Sequence, residues 1–276
     1  MGNYYGAAAT SIAVFDNSYT VHFRSGVPGS STSVTALEPV LPTLSLTNLV
    51  KAGAVGSGDN AYIYGAPNSA KRVITGTIPP NREDFTIKGA IPNPHKVFAE
   101  AFRTELKAAG IAIQNKQLQR TAHDKSMARH KSPTLKEIAT ITNHKSVNLF
   151  AEAIHNAIGK TAAIKEAWKK KEIDLATASL RDGSGVSPKN RSSACQLATV
   201  MAHSAKNKNF IETLTQSEET PNLRYKSGSM SGVKAFTGVI SGKSPRGFAI
   251  IANDYAGSGS QVKKALLSAI NDISRS

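Results

Sequence analysis

Two neighbouring strands are predicted by one stretch of this sequence, Arg224-Tyr-Lys-Ser-Gly-Ser-Met-Ser-Gly-Val-Lys-Ala-Phe-Thr-Gly-Val-Ile240. Its first half carries a cation, a hydroxyl and a glycine in succession, Lys226-Ser227-Gly228. On a strand, this triplet can hold a carboxylate against an exposed backbone edge, because glycine places no side chain there. The tripeptide is common, so its meaning depends on the rest of the chain.

The elements predicted around this stretch indicate an α+β fold. Downstream, apolar runs predict strands over residues 235–240 and 247–253, and a last helix begins at about residue 260. Upstream, capping residues and apolar spacing predict a cluster of helices, which begin near Asn93, Ser132, Leu149, Thr161 and Ser192. A helix cluster followed by antiparallel strands and a closing helix is typical of α+β proteins.

The N-terminal third has a different character and is predicted to be rich in β-strands. Short apolar runs predict strands over 11–15 and 20–24 on either side of a turn, a strand over 72–78, and a short one over 111–113. Residues 114–131 are polar and basic and predict a crossover segment. We therefore expect a β-rich accessory region over residues 1–115 and a second region over residues 116–276.

The charge distribution supports the same division. The net charge is +15, from 34 basic and 19 acidic residues. Residues 1–115 hold 9 basic and 7 acidic residues, whereas residues 116–276 hold 25 and 12. Two interpretations fit the basic excess: attraction to a polyanion such as nucleic acid or an anionic cell-wall or membrane surface, and solvated helix faces.

Composition excludes several classes of site. No run approaches the roughly 18 apolar residues of a membrane span, and the first residues do not have the pattern of a signal peptide. The single Cys195 excludes an internal disulfide and a cysteine metal cluster, and the histidines lack metal-ligand spacing. No cofactor or metal is therefore expected. Aromatic residues do not interleave the lysines as in base-stacking proteins, so nucleic acid is not an expected partner.

Two further segments carry polar residues in patterns that suit a site. Ser146-Val147-Asn148 precedes an apolar-faced helix, where a turn could direct both polar side chains into one cleft. The alternative is that Ser146 caps the helix and Asn148 lies in its first turn. Asp182-Gly183-Ser184-Gly185 predicts a tight loop whose glycines permit close backbone approach, and a plain loop is the alternative.

Taken together and in this order, the three segments resemble the penicillin-recognising serine enzymes, whose motifs are Ser-x-x-Lys, Ser-Asp-Asn and Lys-Thr-Gly. Val147 replaces the middle Asp and Ser227 replaces the Thr. The chain is most similar to the class C low-molecular-mass penicillin-binding proteins, which are serine-type D-alanyl-D-alanine carboxypeptidases and endopeptidases. The segments that carry the resemblance include Asn3–Ala7, Gly89–Pro94, Ser132–Leu135, Ser146–Glu152, Asp182–Asn190 and Lys226–Val233.

The resemblance implies a fold and a location. It implies a β-lactamase/transpeptidase-like domain, with an antiparallel sheet and helices, that is incomplete in this chain, together with the β-rich accessory region. It also implies a periplasmic or cell-envelope protein that acts on peptidoglycan stem peptides ending in D-Ala-D-Ala, through an acyl-enzyme.

The resemblance also implies roles for the site residues. Ser146, Asn148 and Lys226 would be catalytic: Ser146 would relay protons, Asn148 would bind the substrate amide, and Lys226 would set the electrostatic field. Lys226 and Ser227 would hold the substrate carboxylate. Gly228 would keep the strand edge open, and the backbone N–H of Ser229 would form half of the oxyanion hole.

The loop Asp182, Gly183, Ser184 and Gly185 would lie near this site.

One family motif has no match in its expected place. Ser-x-x-Lys should come before Ser146, but its matches in this chain are Ser231-Gly-Val-Lys234 and Ser260-Gln-Val-Lys263. We therefore expect that the chain begins after the nucleophile, is inactive alone, and binds β-lactams only if the nucleophile is supplied. Two alternatives remain open: a non-catalytic peptidoglycan-binding module, and a basic nucleic-acid binder.

Overall fold

A computed structural model describes residues 2–66, 68–113 and 129–275, without the side chain of residue 275. The chain divides into two compact units, Met1–Lys131 and Ser132–Ser276. The predicted crossover over 114–131 lies outside the described residues except for its last three positions, and the predicted division after residue 115 falls in the same gap. That boundary stays a prediction.

The first unit is built mainly from short strands. Its strands are β1 (Ser18–Ser25), β2 (Ser33–Glu38), β3 (Ser45–Asn48), β4 (Lys51–Ala52), β5 (Tyr62–Tyr64), β6 (Lys71–Thr75), β7 (Thr77–Ile78) and β8 (Arg82–Ala90), and helix α1 (Pro94–Ala108) follows them. β1 lies between β2 and β8 in an antiparallel sheet, β6 lies between β3 and β5, and β4 pairs with β7.

Alternation along the strands builds the core of this unit. Tyr19, Val21 and Phe23 occupy alternate positions of β1 and are almost completely buried. Alternate residues of a strand point to the same face, so these three enter one core, where they meet Ile63 and Ile74 from the second sheet.

Two strand predictions in this unit are wrong. Residues 11–15 form no strand, because the chain turns at Phe15–Asn17, where all three residues have positive φ. The buried Asn17 side chain accepts a hydrogen bond from the backbone N–H of Val14 and donates one to the carbonyl of Ala8, so it replaces strand pairing there. Residues 111–113 are also not a strand, and Ile111 stays half exposed.

Other predictions in the first unit are confirmed in outline. The run over 72–78 becomes β6 and β7, separated at Gly76, which has a φ of 101°. Helix α1 begins as its capping signal predicts, since the Asn93 side chain accepts a hydrogen bond from the Lys96 backbone N–H at 3.0 Å.

The second unit has helices and one antiparallel sheet. Its helices are α2 (Leu135–Lys145), α3 (Asn148–Ala157), α4 (Lys160–Lys169), α5 (Ala194–Ser204), α6 (Lys208–Glu212) and α7 (Gly259–Arg275). Its strands are β9 (Thr215–Gln216), β10 (Leu223–Met230), β11 (Val233–Ile240) and β12 (Arg246–Asn253), in the spatial order β12-β11-β10-β9. The predicted α+β class is confirmed.

Helices pack against this sheet and hold β10 in place. Ile270 of α7 is buried with Leu223, Phe236 and Phe248 from the three long strands. Helix α5 packs on β11 and β12. The cap of α2 differs from the prediction: Thr134, not Ser132, accepts the Glu137 backbone N–H, and Glu137 accepts the Thr134 N–H in return.

Candidate active site

Ser146 occupies a strained turn between two helices. It ends α2 in the left-handed region, with φ 53° and ψ 47°. The residue that caps α3 is Val147, and no side-chain hydrogen bond caps this helix. The alternative in which Ser146 caps α3 is therefore wrong, although Asn148 lies in the first turn of α3, as that alternative expected. Strain of this kind costs about 1–3 kcal/mol and persists only where the surrounding structure holds the residue in place.

A hydrogen bond joins Ser146 to Lys226, which lies 80 residues away on β10. Lys226 Nζ donates to Ser146 Oγ at 2.7 Å and to the Ser227 carbonyl oxygen at 2.6 Å. Burial lowers the pKa of Lys226 below its usual 10.5. Among the described residues, no carboxylate pairs with this ammonium. One of its three N–H groups is therefore left for a ligand.

The strand edge beside Lys226 is open. β9 pairs with β10 only at Arg224 and Tyr225. The Leu223 carbonyl accepts a hydrogen bond from the backbone N–H of Ser217, just after β9, so the backbone groups of Leu223 face the β9 side. In an antiparallel sheet, alternate residues of a strand direct their backbone groups to the same side. The N–H and C=O groups of Ser227 and Ser229 thus face an edge that no described strand covers.

Gly228 lies between these two serines on the open edge. A Cβ built at Gly228 would lie 3.7 Å from the Ala235 Cβ, which is an ordinary contact. Packing against β11 therefore does not require glycine here.

Lys234 on β11 is a second cation that contacts Ser229, and it is not one of the predicted site residues. It lies directly opposite Ser229 in the β10–β11 pair, and its Nζ donates to Ser229 Oγ at 2.5 Å. The signal for this contact is in the sequence: a two-residue turn at Ser231-Gly232 sets the register that places residues 229 and 234 across from each other.

The loop Asp182–Gly185 is held against α3 by Glu152. Glu152 Oε1 accepts hydrogen bonds from the N–H of Gly183 at 3.1 Å, the N–H of Ser184 at 2.9 Å and Ser184 Oγ at 2.6 Å. A Cβ at Gly183 would lie 2.5 Å from the Ala151 carbonyl oxygen, so only glycine fits. Glu152 is thus a positioning residue that lies one turn beyond Asn148 on α3.

Asp182 organises the loop from within. Its carboxylate accepts hydrogen bonds from the N–H groups of Gly185 at 2.8 Å and Ser187 at 2.5 Å, and from the Asn190 side chain at 2.8 Å. With its oxygens used in this way, Asp182 has a structural role in the described residues.

Two separate sets of contacts thus bring the predicted residues together. Ser146 meets Lys226 directly, and the loop is linked through Glu152 to α3, whose first residue is Asn148. No group of three or more histidine, cysteine, aspartate or glutamate side chains in the described part of the chain is arranged to hold a metal ion. The predicted roles of the individual residues stay predictions.

Sequence comparison supplies the family. The D-Ala-D-Ala carboxypeptidase 3 (S13) family matches residues 1–217. The chain belongs to this family. The match covers the β-rich region, Ser146, Asn148 and the loop at 182–185, whereas Lys226–Ser229 lies beyond the matched residues. The resemblance to low-molecular-mass penicillin-binding proteins is thereby confirmed. No curated protein sequence matches the chain.

Two solved structures of one penicillin-binding protein are similar to this chain in fold. Penicillin-binding protein 4 from Haemophilus influenzae superposes with a TM-score of 0.72 at 18% identity, over 94% of this chain and 65% of that protein. The same protein in complex with a β-lactam gives a TM-score of 0.71 at 18% identity, over 92% of this chain and 66% of that protein. The chain therefore spans about two thirds of the length of these structures, and at this identity the similarity shows the fold.

Within the described ranges, no helix combines the length and the apolar character needed to cross a bilayer.

Proposed function

We propose that this chain is part of a serine D-Ala-D-Ala carboxypeptidase and endopeptidase of the cell envelope, which acts on peptidoglycan stem peptides through an acyl-enzyme. The observation that carries the proposal is the hydrogen bond from Lys226 Nζ to Ser146 Oγ at 2.7 Å. This hydrogen bond joins the Ser146-Val147-Asn148 motif to the Lys226-Ser227-Gly228 motif, 80 residues apart in the chain, beside the open edge of β10.

The geometry suits the recognition of a peptide with a free C-terminal carboxylate. The remaining N–H of Lys226 and the Ser227 hydroxyl would bind the carboxylate through charge-assisted hydrogen bonds. The peptide would extend along the open edge of β10, as in β-strand addition. Asn148 would bind the substrate amide, and the N–H of Ser229 would stabilise the oxyanion of the tetrahedral intermediate.

Proton transfer is the role we assign to Ser146. In the proposed reaction the nucleophilic serine loses a proton when it attacks the carbonyl, and the leaving D-alanine amine gains one. Ser146 could pass this proton, because a hydroxyl both donates and accepts and because Lys226 fixes its orientation.

We further propose that neither Ser-x-x-Lys match in this chain supplies the nucleophile. Ser231 lies in the turn between β10 and β11, and the lysine of its motif, Lys234, is bound to Ser229. Ser260 lies in the first turn of α7. In the described part of the chain, no hydrogen bond joins either serine to Ser146 or Lys226.

Peptide binding tests the proposal without requiring turnover. Isothermal titration with diacetyl-L-Lys-D-Ala-D-Ala is expected to show binding, and the same peptide with a C-terminal amide is expected to bind at least about tenfold more weakly, because it lacks the charge that Lys226 recognises. Lys226→Met should remove this preference, whereas Lys243→Met, at an exposed lysine in the loop after β11, should keep it. Equal binding of acid and amide would contradict the proposed recognition.

A second arm of the experiment addresses the nucleophile. The chain alone, incubated with a fluorescent penicillin, is expected to stay unlabelled after denaturing electrophoresis. Stoichiometric, saturable labelling that is lost in Ser231→Ala or Ser260→Ala would show that the nucleophile lies in this chain.

A further inference from the structure

A groove of about 400 Å³ opens on the second unit, between α4, α5 and α6. The aromatic rings of Trp168 and Phe210 and the side chain of Val200 contribute its apolar lining, and Lys171, Lys206 and His203 are its basic residues. None of these residues belongs to the candidate active site. Its volume falls within the range of small-molecule sites and suits a ligand of one or two sugar rings.

Aromatic contacts hold two of these basic residues, Lys171 and His203, against Trp168. Lys171 Nζ lies 5.3 Å from the centre of the Trp168 ring and 3.5 Å from His203 Nε2. The His203 ring meets Trp168 edge to face, with ring centres 5.6 Å apart. Trp168 itself packs on the buried cluster of Ile173, Leu175 and Ala178. The cations are therefore presented on a surface that the core supports.

The groove also lacks the negative charge that would neutralise it. No acidic residue lines it, and among the described residues Lys171 and Lys206 form no ion pair. Their neighbours differ: Lys170 pairs with Glu166, and Lys208 pairs with Glu212. Unpaired cations beside an apolar surface favour a ligand that is anionic and has an apolar face.

We propose that this groove binds an acidic saccharide, with a carboxylate against Lys171 and Lys206 and the C–H face of a sugar ring against Phe210 and Val200. The Trp168 ring, with Lys171 Nζ over its face, borders the bound sugar. A pyranose ring has an apolar face and a polar edge, which match an aromatic lining and a basic rim. A small inorganic anion would leave the apolar lining uncovered. Nucleic acid is disfavoured because it needs a row of phosphate contacts, and this groove offers two lysines.

The chain contains one tryptophan, Trp168, so its fluorescence reports on this groove alone. The probe is a tetrasaccharide of alternating glucuronate and N-acetylglucosamine, and the matched uncharged probe is the tetrasaccharide of N-acetylglucosamine. We expect saturable quenching of Trp168 by the acidic probe, with at least about tenfold weaker binding of the uncharged one. Titration calorimetry on the same samples detects binding that leaves the fluorescence unchanged.

Paired variants separate a site from general charge attraction. Lys171→Gln with Lys206→Gln is expected to weaken binding of the acidic probe at least tenfold. Lys243→Gln with Lys264→Gln, which removes the same charge elsewhere in the second unit, is expected to leave it within about twofold. Circular dichroism confirms that both variants are folded.

Four outcomes would overturn the proposal: no binding by either method, equal affinity for the uncharged probe, an equal loss in both double variants, or quenching by inorganic phosphate with the same affinity. A single-stranded oligonucleotide that binds more tightly than the acidic probe through Lys171 and Lys206 would instead identify a nucleic-acid site.

Discussion

Lys226 carries its charge on a partly buried side chain, so its contribution to the stability of the folded chain depends on pH. Burial lowers its pKa in the folded state below 10.5, so the charged form costs free energy on folding at neutral pH. This cost is fully present at pH values below the pKa of Lys226 in the folded chain. It disappears as the pH rises from that pKa toward the higher pKa of Lys226 in the unfolded chain. We expect wild type to gain stability relative to Lys226→Met as the pH rises from 7 to 11.

Urea unfolding of both proteins across this pH range measures the difference. Lys243→Met reports the effect of removing one exposed lysine. Peptide affinity is expected to fall in the same window, because deprotonated Lys226 no longer attracts a carboxylate. A stability difference between wild type and Lys226→Met that stays constant from pH 7 to pH 11 would show that burial does not affect this lysine.

At the scale of elements, the link between α3 and the loop at 182–185 rests on one carboxylate. Glu152 Oε1 accepts three hydrogen bonds from Gly183 and Ser184. Glu152→Ala is expected to leave these donors without their partner and to cost about 1–3 kcal/mol of unfolding free energy. Glu152→Gln keeps a carbonyl oxygen at the same place and should lose less.

Hydrogen exchange of the Gly183 and Ser184 amides, together with urea unfolding, tests whether Glu152→Ala loses more stability than Glu152→Gln. Faster exchange in Glu152→Ala, with intermediate exchange in Glu152→Gln, is the expected result. Unchanged protection of both amides in Glu152→Ala would mean that the loop is held by Asp182 and its partners instead.

At the scale of the whole molecule, the two compact units have separate cores. Tyr19, Val21 and Phe23 lie in the core of the first unit, whereas Trp168 packs in the second. Phe23→Ala removes a fully buried ring and is expected to destabilise the first unit by about 3–5 kcal/mol. The unfolding midpoint measured by Trp168 fluorescence should not change, because Trp168 lies in the second unit. The unfolding curve measured by circular dichroism should separate into two transitions.

A single transition that shifts equally by both signals would show that the units unfold together. That result would argue against the predicted division of the chain into an accessory region and a transpeptidase-like region.

Local sequence signals predicted much of this fold. Apolar alternation located β10, β11 and β12, and Asn93 predicted the start of α1, because strand alternation and helix caps depend on residues close together in the chain. The same signals failed at residues 11–15, where the apolar run resembles a strand. The Asn17 side chain, bonded to the backbone of Ala8 and Val14, decided the turn instead.

The sequence by itself determined which chemical groups the site contains and the order of its motifs: Ser146 and Asn148, then the loop at 182–185, then Lys226–Ser229. Only the tertiary structure decided that Ser146 bonds to Lys226 instead of capping α3, that Glu152 holds the loop, and that Lys171 lies over Trp168. These contacts depend on how helices pack beside the sheet, and packing of distant elements leaves no periodic signal in the sequence.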